Sequence, residues 1–337
     1  MDEVAKLISS MPNKSSPLDA IPTSVIKSYV EVFLPLISHL ATLSFSEGTF
    51  PSRYRTASVI TLLKKKKLDP DVPANYRPVP DLHTVLKILE RLFLMRFRPH
   101  VKRSQKFNHL QSAYRRGHST ETTLVRILDD IYNNADNQSS TLLIQLDLSS
   151  AFDTLDKDTL NTFGIDGAAL NWIRSYLQGR YQFVRVGGQT SASEPCLFGV
   201  PQGSVLRQIL FTLFIAPIAR VVAEHNVSLA RYADDTQLYI SLKTTGALSK
   251  MDLCFQSVHQ WLDSNGLCLN SGKSEAVIFG TGAMLRQRDS IDTISRPTHD
   301  VNISVSQSVK RLGVTLDSSL SFNQHVNNLC KSSNFHI

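Results

Sequence analysis

The chain of 337 residues is 42% hydrophobic and 19% charged. This is ordinary usage for a folded protein and excludes wholesale disorder, a collagen-like repeat and a coiled coil; the length predicts about two or three lobes. Lys and Arg outnumber Asp and Glu by 36 to 29, and the surplus is local: residues 50–120 hold 16 basic against 4 acidic side chains, the remainder 20 against 25. One basic lobe of this kind suits a polyanion such as nucleic acid or a nucleoside triphosphate, while charge alone equally describes a solvated face.

In chain order, the first fifty residues read as short helices between prolines, with helical apolar spacing from Val25 to Leu43 around Pro35 and a stop at Glu47-Gly48 and Pro51. Thr56 to Leu63 is predicted as a strand. Lys64 to Lys67 and a loop over Leu68 to Pro80 lead into a helix from His83 to Phe97, which buries Val85, Leu86, Leu89, Leu92 and Phe93 and leaves Lys87, Arg91 and Arg96 outside. A further helix spans 119 to 133, with Ser119 as N-cap and Glu121 in its first turn. Leu142 to Leu148 alternates as a strand, Gly167 to Gln178 fits a helix, Gln182 to Val186 a strand, and Ser204 to Glu224 a long helix. Val227 to Tyr232 and Gln237 to Leu242 flank Ala233-Asp234-Asp235-Thr236 as a β-hairpin. Ala247 to Asp263 is an amphipathic helix with Leu248, Met251, Phe255, Val258, Trp261 and Leu262 inward, and short strands follow through Leu316. Helices and strands alternate without a regular βαβ beat.

Cys196, Cys254, Cys268 and Cys330 show neither metal-binding spacing nor the density of a disulfide scaffold, so reduced thiols are expected. No apolar run reaches the length of a membrane span, and the N-terminus has no signal pattern. The expectation is an intracellular protein, nuclear or cytoplasmic, without a membrane partner.

Four segments carry chemistry. Adjacent acids at Asp234-Asp235 in a turn repel one another and raise a pKa or recruit a metal, although many such pairs are only turns. Asp147 ends an apolar strand; alone it would pass for a helix cap, but beside the Asp234 hairpin in one sheet it would complete an oxygen site for hard divalent cations. Gly199-Val200-Pro201-Gln202-Gly203-Ser204 opens a helix with a loop that permits close backbone approach. Asn75-Tyr76-Arg77-Pro78 follows the lysine cluster, where Arg77 offers a fork to phosphate and Lys64 a point charge. Each has an ordinary reading as a cap, a loop or a basic surface.

The order of these segments, with Gly272-Lys273 and Lys310-Arg311-Leu312-Gly313 downstream, resembles the successive motifs of reverse transcriptases. The strings SSPLDAIPTSVIK, ANYRPVPDL, LQSAYRRGHSTETTL, LDLSSAFDTLD, GVPQGSVL and RYADDTQLY are similar to the polymerase segment of non-LTR, LINE-type retrotransposons of the jockey and chicken-repeat kind, from about Ser15 to the C-terminal end. The resemblance implies an α+β right-hand polymerase, with an N-terminal helical extension at 1–50, fingers at 51–140, a palm at 141–305 that interleaves a fingers segment at about 166–198, and at 306–337 a primer-grip hairpin with the start of a truncated thumb. It implies that Asp147, Asp234 and Asp235 serve two Mg²⁺ ions, with Mn²⁺ as a substitute, and that Lys273 is a proton donor to pyrophosphate. By the same resemblance Lys64, Arg77, Ala151, Phe152, Gln202 and Gly203 bind the nucleotide, Phe152 excluding a 2′-hydroxyl, and Leu312 and Gly313 grip the primer. The implied partners are an RNA template, a DNA primer and dNTPs. Arg207-Gln208 departs from the Gly-Pro usual at that place, the connection Asp158 to Phe163 is shorter than usual, and no endonuclease segment precedes the polymerase. These departures leave open a catalytically impaired, nucleic-acid-binding remnant of such an element.

Overall fold

The β-branched run of TASVITLL makes Thr56–Leu63 a strand over the expected span. It pairs antiparallel with Tyr76–Asp81, so that Leu62 lies opposite Arg77 and Ile60 opposite Val79. On its other side it pairs in parallel with Arg180–Val186. Gln189–Thr190 and Glu194–Cys196 complete this five-stranded sheet. A parallel neighbour needs a long crossover, and here the partner strand arrives more than a hundred residues later in the chain.

The computed structural model describes residues 1–104, 110–113, 115, 117–149, 157–196, 199–201, 203–286, 293–294 and 303–336. The chain divides into two compact units, one of Met1–Phe107 with Phe152–Phe214 and one of Asn108–Ala151 with Ile215–Ile337. The first unit contains the five-stranded sheet and the helices Asp2–Ser10, Thr23–Ser28, Val30–Ser46, Thr84–Arg103, Gly167–Leu177 and Arg207–Phe214. Aromatic rings fill its helical core. Trp172 stacks on Phe93 at 4.2 Å and lies near-parallel to Tyr176, while Phe50 meets both Trp172 and Tyr176 edge-on.

Asp19, from the SSPLDAIP segment, caps the Thr84–Arg103 helix from outside. Its carboxylate accepts from Thr84 N at 2.8 Å, Thr84 Oγ1 at 2.6 Å and Ser16 N at 2.9 Å. That helix runs six residues past the expected Phe97 end. Its buried face includes Ile88 and the charged Glu90 as well as the expected leucines, whereas Val85 is only partly buried.

The second unit is built on a four-stranded antiparallel sheet in the order Glu275–Phe279, Thr141–Leu146, Asp235–Ser241, Ser228–Tyr232. Leu143, Tyr239 and Val277 on one face pack with Leu124, Ile127 and Ile131 of the helix Thr120–Asp136, which Ser119 caps through Thr122 N. The helix Ala247–Ser264 packs on the Asp235–Ser241 strand. Val309 and Leu316 of the hairpin Ser308–Arg311/Val314–Asp317 join the same core.

Further expectations are corrected: the loop expected over Leu68–Pro80 gives way to the strand Tyr76–Asp81, whose residues pair with Thr56–Leu63. The long helix over Ser204–Glu224 is two, Arg207–Phe214 and Ile218–Ala223, because Pro217 lacks the N–H to continue a helix and is instead well placed to begin one. The strand expected over Leu142–Leu148 ends at Leu146, and Leu148–Ser149 pairs separately with Cys268–Leu269. Leu248, expected inward, is exposed in the first turn of its helix. Among the described residues no helix is long and apolar enough to cross a membrane.

Candidate active site

Asp147 stands one residue beyond the central strand of the second unit, whose last ladder pair is Leu146 with Thr236. Continuing that antiparallel register places Asp147 opposite Asp235. The hairpin between Ser228–Tyr232 and Asp235–Ser241 is tighter than the sequence suggested: Tyr232 pairs with Asp235, and only Ala233 and Asp234 form the turn. Asp234 is therefore exposed at the tip, while Asp235 begins the returning strand and is half-buried.

Asp235 feels the other two acids. Burial pushes the Asp235 carboxyl up, the neighbouring charges of Asp234 and Asp147 add to the shift, and Arg311 opposes it. Such a cluster is a destabilised anion that a divalent cation would relieve. Among the described residues no three His, Cys, Asp or Glu side chains converge closely enough to hold a metal by themselves. A hard divalent cation needs as few as one or two protein carboxylates when waters and substrate phosphates complete its ligands. Asp147 and Asp234, both solvent-accessible oxygen donors, suit it.

Asp147 is also pinned from its other side. Its carbonyl accepts from Asn270 N at 2.9 Å and its amide donates to Ser274 Oγ at 3.2 Å. The single turn Ser271–Lys273 between those anchors carries Lys273 Nζ to 3.9 Å from Asp147 Oδ2. At that length, with Lys273 71% exposed, the pair contributes little stability and leaves the ammonium available.

Three residues that the sequence reasoning passed over shape this region. Gln111 is fully buried; its Oε1 accepts from Ala233 N at 3.0 Å and its Nε2 donates to Ala233 O at 3.2 Å. It thereby holds both ends of a residue whose φ is +58°, a left-handed conformation costly for alanine. Arg231, also fully buried, donates to Ile215 O at 2.9 Å, and burial pulls its guanidinium down to about 9. Arg311 is fully buried with no hydrogen-bond partner on its guanidinium among the described residues. Burial lowers it to about 9 as well, against the pull of Asp235 and Tyr239. A buried polar group needs a partner; the LQSAYRRG string and the basic residue before Leu312-Gly313 were visible, but their burial was not. Leu312 and Gly313 themselves form the turn of the hairpin, at φ +45° and +90°, and Leu312 packs on the core.

In the first unit, Lys64 ends the Thr56–Leu63 strand and donates through Nζ to Ala74 O at 2.8 Å, which closes the hairpin loop. Arg77 is exposed on the paired strand. Gly203 has φ +78°, and a Cβ there would lie 3.3 Å from Pro80 O, so the Gly-Pro loop rests against the strand that carries Arg77. Ala151, Phe152 and Gln202 lie outside the described residues.

Residues 63–316 match the family model described as reverse transcriptase (RNA-dependent DNA polymerase). The chain belongs to the reverse transcriptase family. It is 28% identical to the RNA-directed DNA polymerase from mobile element jockey of Drosophila melanogaster, over 98% of this chain and 36% of that protein. It is 29% identical to the jockey polymerase of Drosophila funebris over the same shares, and 25% identical to the probable RNA-directed DNA polymerase from transposon BS of Drosophila melanogaster, over 97% of this chain and 36% of that protein. The chain thus spans about a third of the length of these non-LTR relatives. A solved structure of apo telomerase from Candida tropicalis, truncated from its C-terminal domain, shares the fold with a TM-score of 0.52 at 15% identity, covering 92% of this chain and 62% of that one.

Proposed function

We propose that this reverse transcriptase domain is an RNA-directed DNA polymerase that adds dNTPs to a primer 3′-hydroxyl on an RNA template. The observation that carries this reading is the register that sets Asp147 opposite Asp235 with Asp234 at the adjoining tip. Mg²⁺, when bound, would lower the pKa of the attacking hydroxyl and neutralise the departing pyrophosphate, with Mn²⁺ able to substitute. Asp147 and Asp234 would hold the ions, and Asp235 would add negative field from behind. Lys273 would hold a proton on Nζ for pyrophosphate, a general-acid role. Arg77 and Lys64 would meet the triphosphate. By family resemblance, Ala151, Phe152, Gln202 and Gly203 would line the sugar and base, and Leu312-Gly313 would support the primer end. In this reading 1–50 is an N-terminal helical extension, 51–140 the fingers, 141–305 the palm with an interleaved fingers segment at about 166–198, and 306–337 carries the primer-grip hairpin; the protein works inside the cell.

Asp234→Asn removes one charge from the ion site and leaves the basic lobe untouched. Metal-dependent extension on poly(rA)·oligo(dT) should fall by about a hundredfold or more, with RNA affinity nearly unchanged. Equal loss of both would argue against the metal role.

A second reading, a nucleic-acid-binding remnant, is favoured by one observation: Arg207, a long cation, starts the helix after the loop where the resembled family has glycine. Incorporation of dNTP by the purified 337-residue chain would dismiss it.

A further inference from the structure

One buried acid has no part in the polymerase chemistry. Glu90, in the middle of the Thr84–Arg103 helix, is 0% exposed. A carboxylate so placed is rare unless its oxygens are satisfied. Both are: Tyr176 Oη donates to Oε1 at 2.5 Å, and the backbone amide of Val205 donates to Oε2 at 2.8 Å. The same Tyr176 hydroxyl lies 2.8 Å from Ser204 Oγ, which in turn accepts from Arg207 N at 3.1 Å. The buried Arg180 donates to Tyr176 O at 2.9 Å and lies 5.0 Å over the Tyr176 ring. Burial pushes the Glu90 carboxyl up, while the Tyr176 hydroxyl, the Val205 amide, Ser204 and the Arg180 charge hold it back.

Three links of this network reach 203–206 or the helix that follows: Val205 N to Glu90, Tyr176 to Ser204, and Arg207 N to Ser204. On its other side the loop meets Pro80 through Gly203. Gly203 thus lies between the strand that carries Pro80 and the two residues, Ser204 and Val205, that the Glu90–Tyr176 pair holds.

We propose that Glu90, acting through Tyr176 and Ser204, is a positioning residue that fixes residues 203–206 for the incoming nucleotide. This rests on the polymerase reading above, in which Gly203 lines that substrate. Glu90 touches no substrate; its effect reaches the reaction only through the loop.

The test uses the full chain and three variants. Glu90→Gln keeps the volume but leaves one acceptor, so that either an amide N–H faces Val205 N–H or the Tyr176 hydroxyl must accept instead of donate. Tyr176→Phe keeps the ring and removes the bridge. Ser204→Ala breaks the last link without touching the helical core. Each should expose the Val205 amide to hydrogen exchange and raise the apparent KM for dNTP by roughly tenfold with kcat changed far less, as expected for one lost buried hydrogen bond to a charged group. The Glu90→Gln/Tyr176→Phe double variant should cost no more than the worse single one, because the two act along one chain of contacts. Variants that melt at lower temperature but keep the wild-type KM would reduce Glu90 to a structural role and overturn the proposal. A wild-type chain that neither extends primers nor binds Mg²⁺·dNTP would instead overturn the polymerase reading, and this proposal with it. A wild-type chain that binds dNTP without extending, and loses that binding in the variants, would support the positioning role alone.

Discussion

Asp19 shows how one side chain can tie distant sequence together. Burial pushes its carboxyl up, but His83, the Thr84 hydroxyl and amide, and the Ser16 amide outweigh it and bring the group down to about 2 from 3.8. Because the folded value is depressed, the stabilisation is fully present above the unfolded value near pH 4 and is lost as pH falls through about 2. Thermal unfolding of wild type and Asp19→Ala should therefore differ at pH 6 and converge by pH 2. A constant gap across that range would assign the effect to packing. Residues of this kind were the least legible beforehand. Asp147, Asp234 and Asp235 announce themselves because adjacent or strand-end acids are conspicuous, whereas Gln111, Glu90 and Arg311 matter through burial and distant partners, 86 to 122 residues away in the hydrogen bonds of Glu90 to Tyr176 and of Gln111 to Ala233. Helical periodicity did not single out Glu90, which sits among the buried leucines of its helix as if it were one of them.

Among elements, those with a strong local pattern were read correctly: the Thr56–Leu63 strand, the Ser119-capped helix and the Ala247–Ser264 helix follow from propensity, capping and amphipathic spacing. The split of the Ser204–Glu224 helix at Pro217 had a local cause; at the hairpin, tertiary pairing decides. The two-residue turn at Ala233-Asp234 is held by Gln111 from another segment, and nothing in its four letters separates it from a four-residue loop. The hairpin at Leu312-Gly313 is a different case, with both central residues at positive φ, as a type I′ turn requires. A Cβ on Gly313 would meet nothing within 4 Å, so Gly313→Ala tests backbone strain alone. It should lower stability by about 1–2 kcal/mol, read by chemical denaturation. A neutral result would show that the hairpin relaxes without cost.

For the whole molecule, charge was legible as a sum and its use was not. The exposed lysines 65–67 cap the basic stretch. If this lobe follows a single-stranded RNA backbone, replacing all three by glutamine should reduce the slope of log affinity against log salt by about 2, from roughly 0.7 per phosphate contact released. Filter binding from low to moderate salt measures it, and an unchanged slope would place the RNA elsewhere. The first unit's sheet carries one more consequence. Its middle strand is laid down early, but the parallel neighbour Arg180–Val186 and the Glu90-held loop come only after the chain has passed through residues 108–151 of the other unit. On a ribosome this half cannot close until its last strand and loop have left the exit tunnel, so a nascent chain paused before about residue 206 presents an unfinished apolar edge to chaperones and proteases.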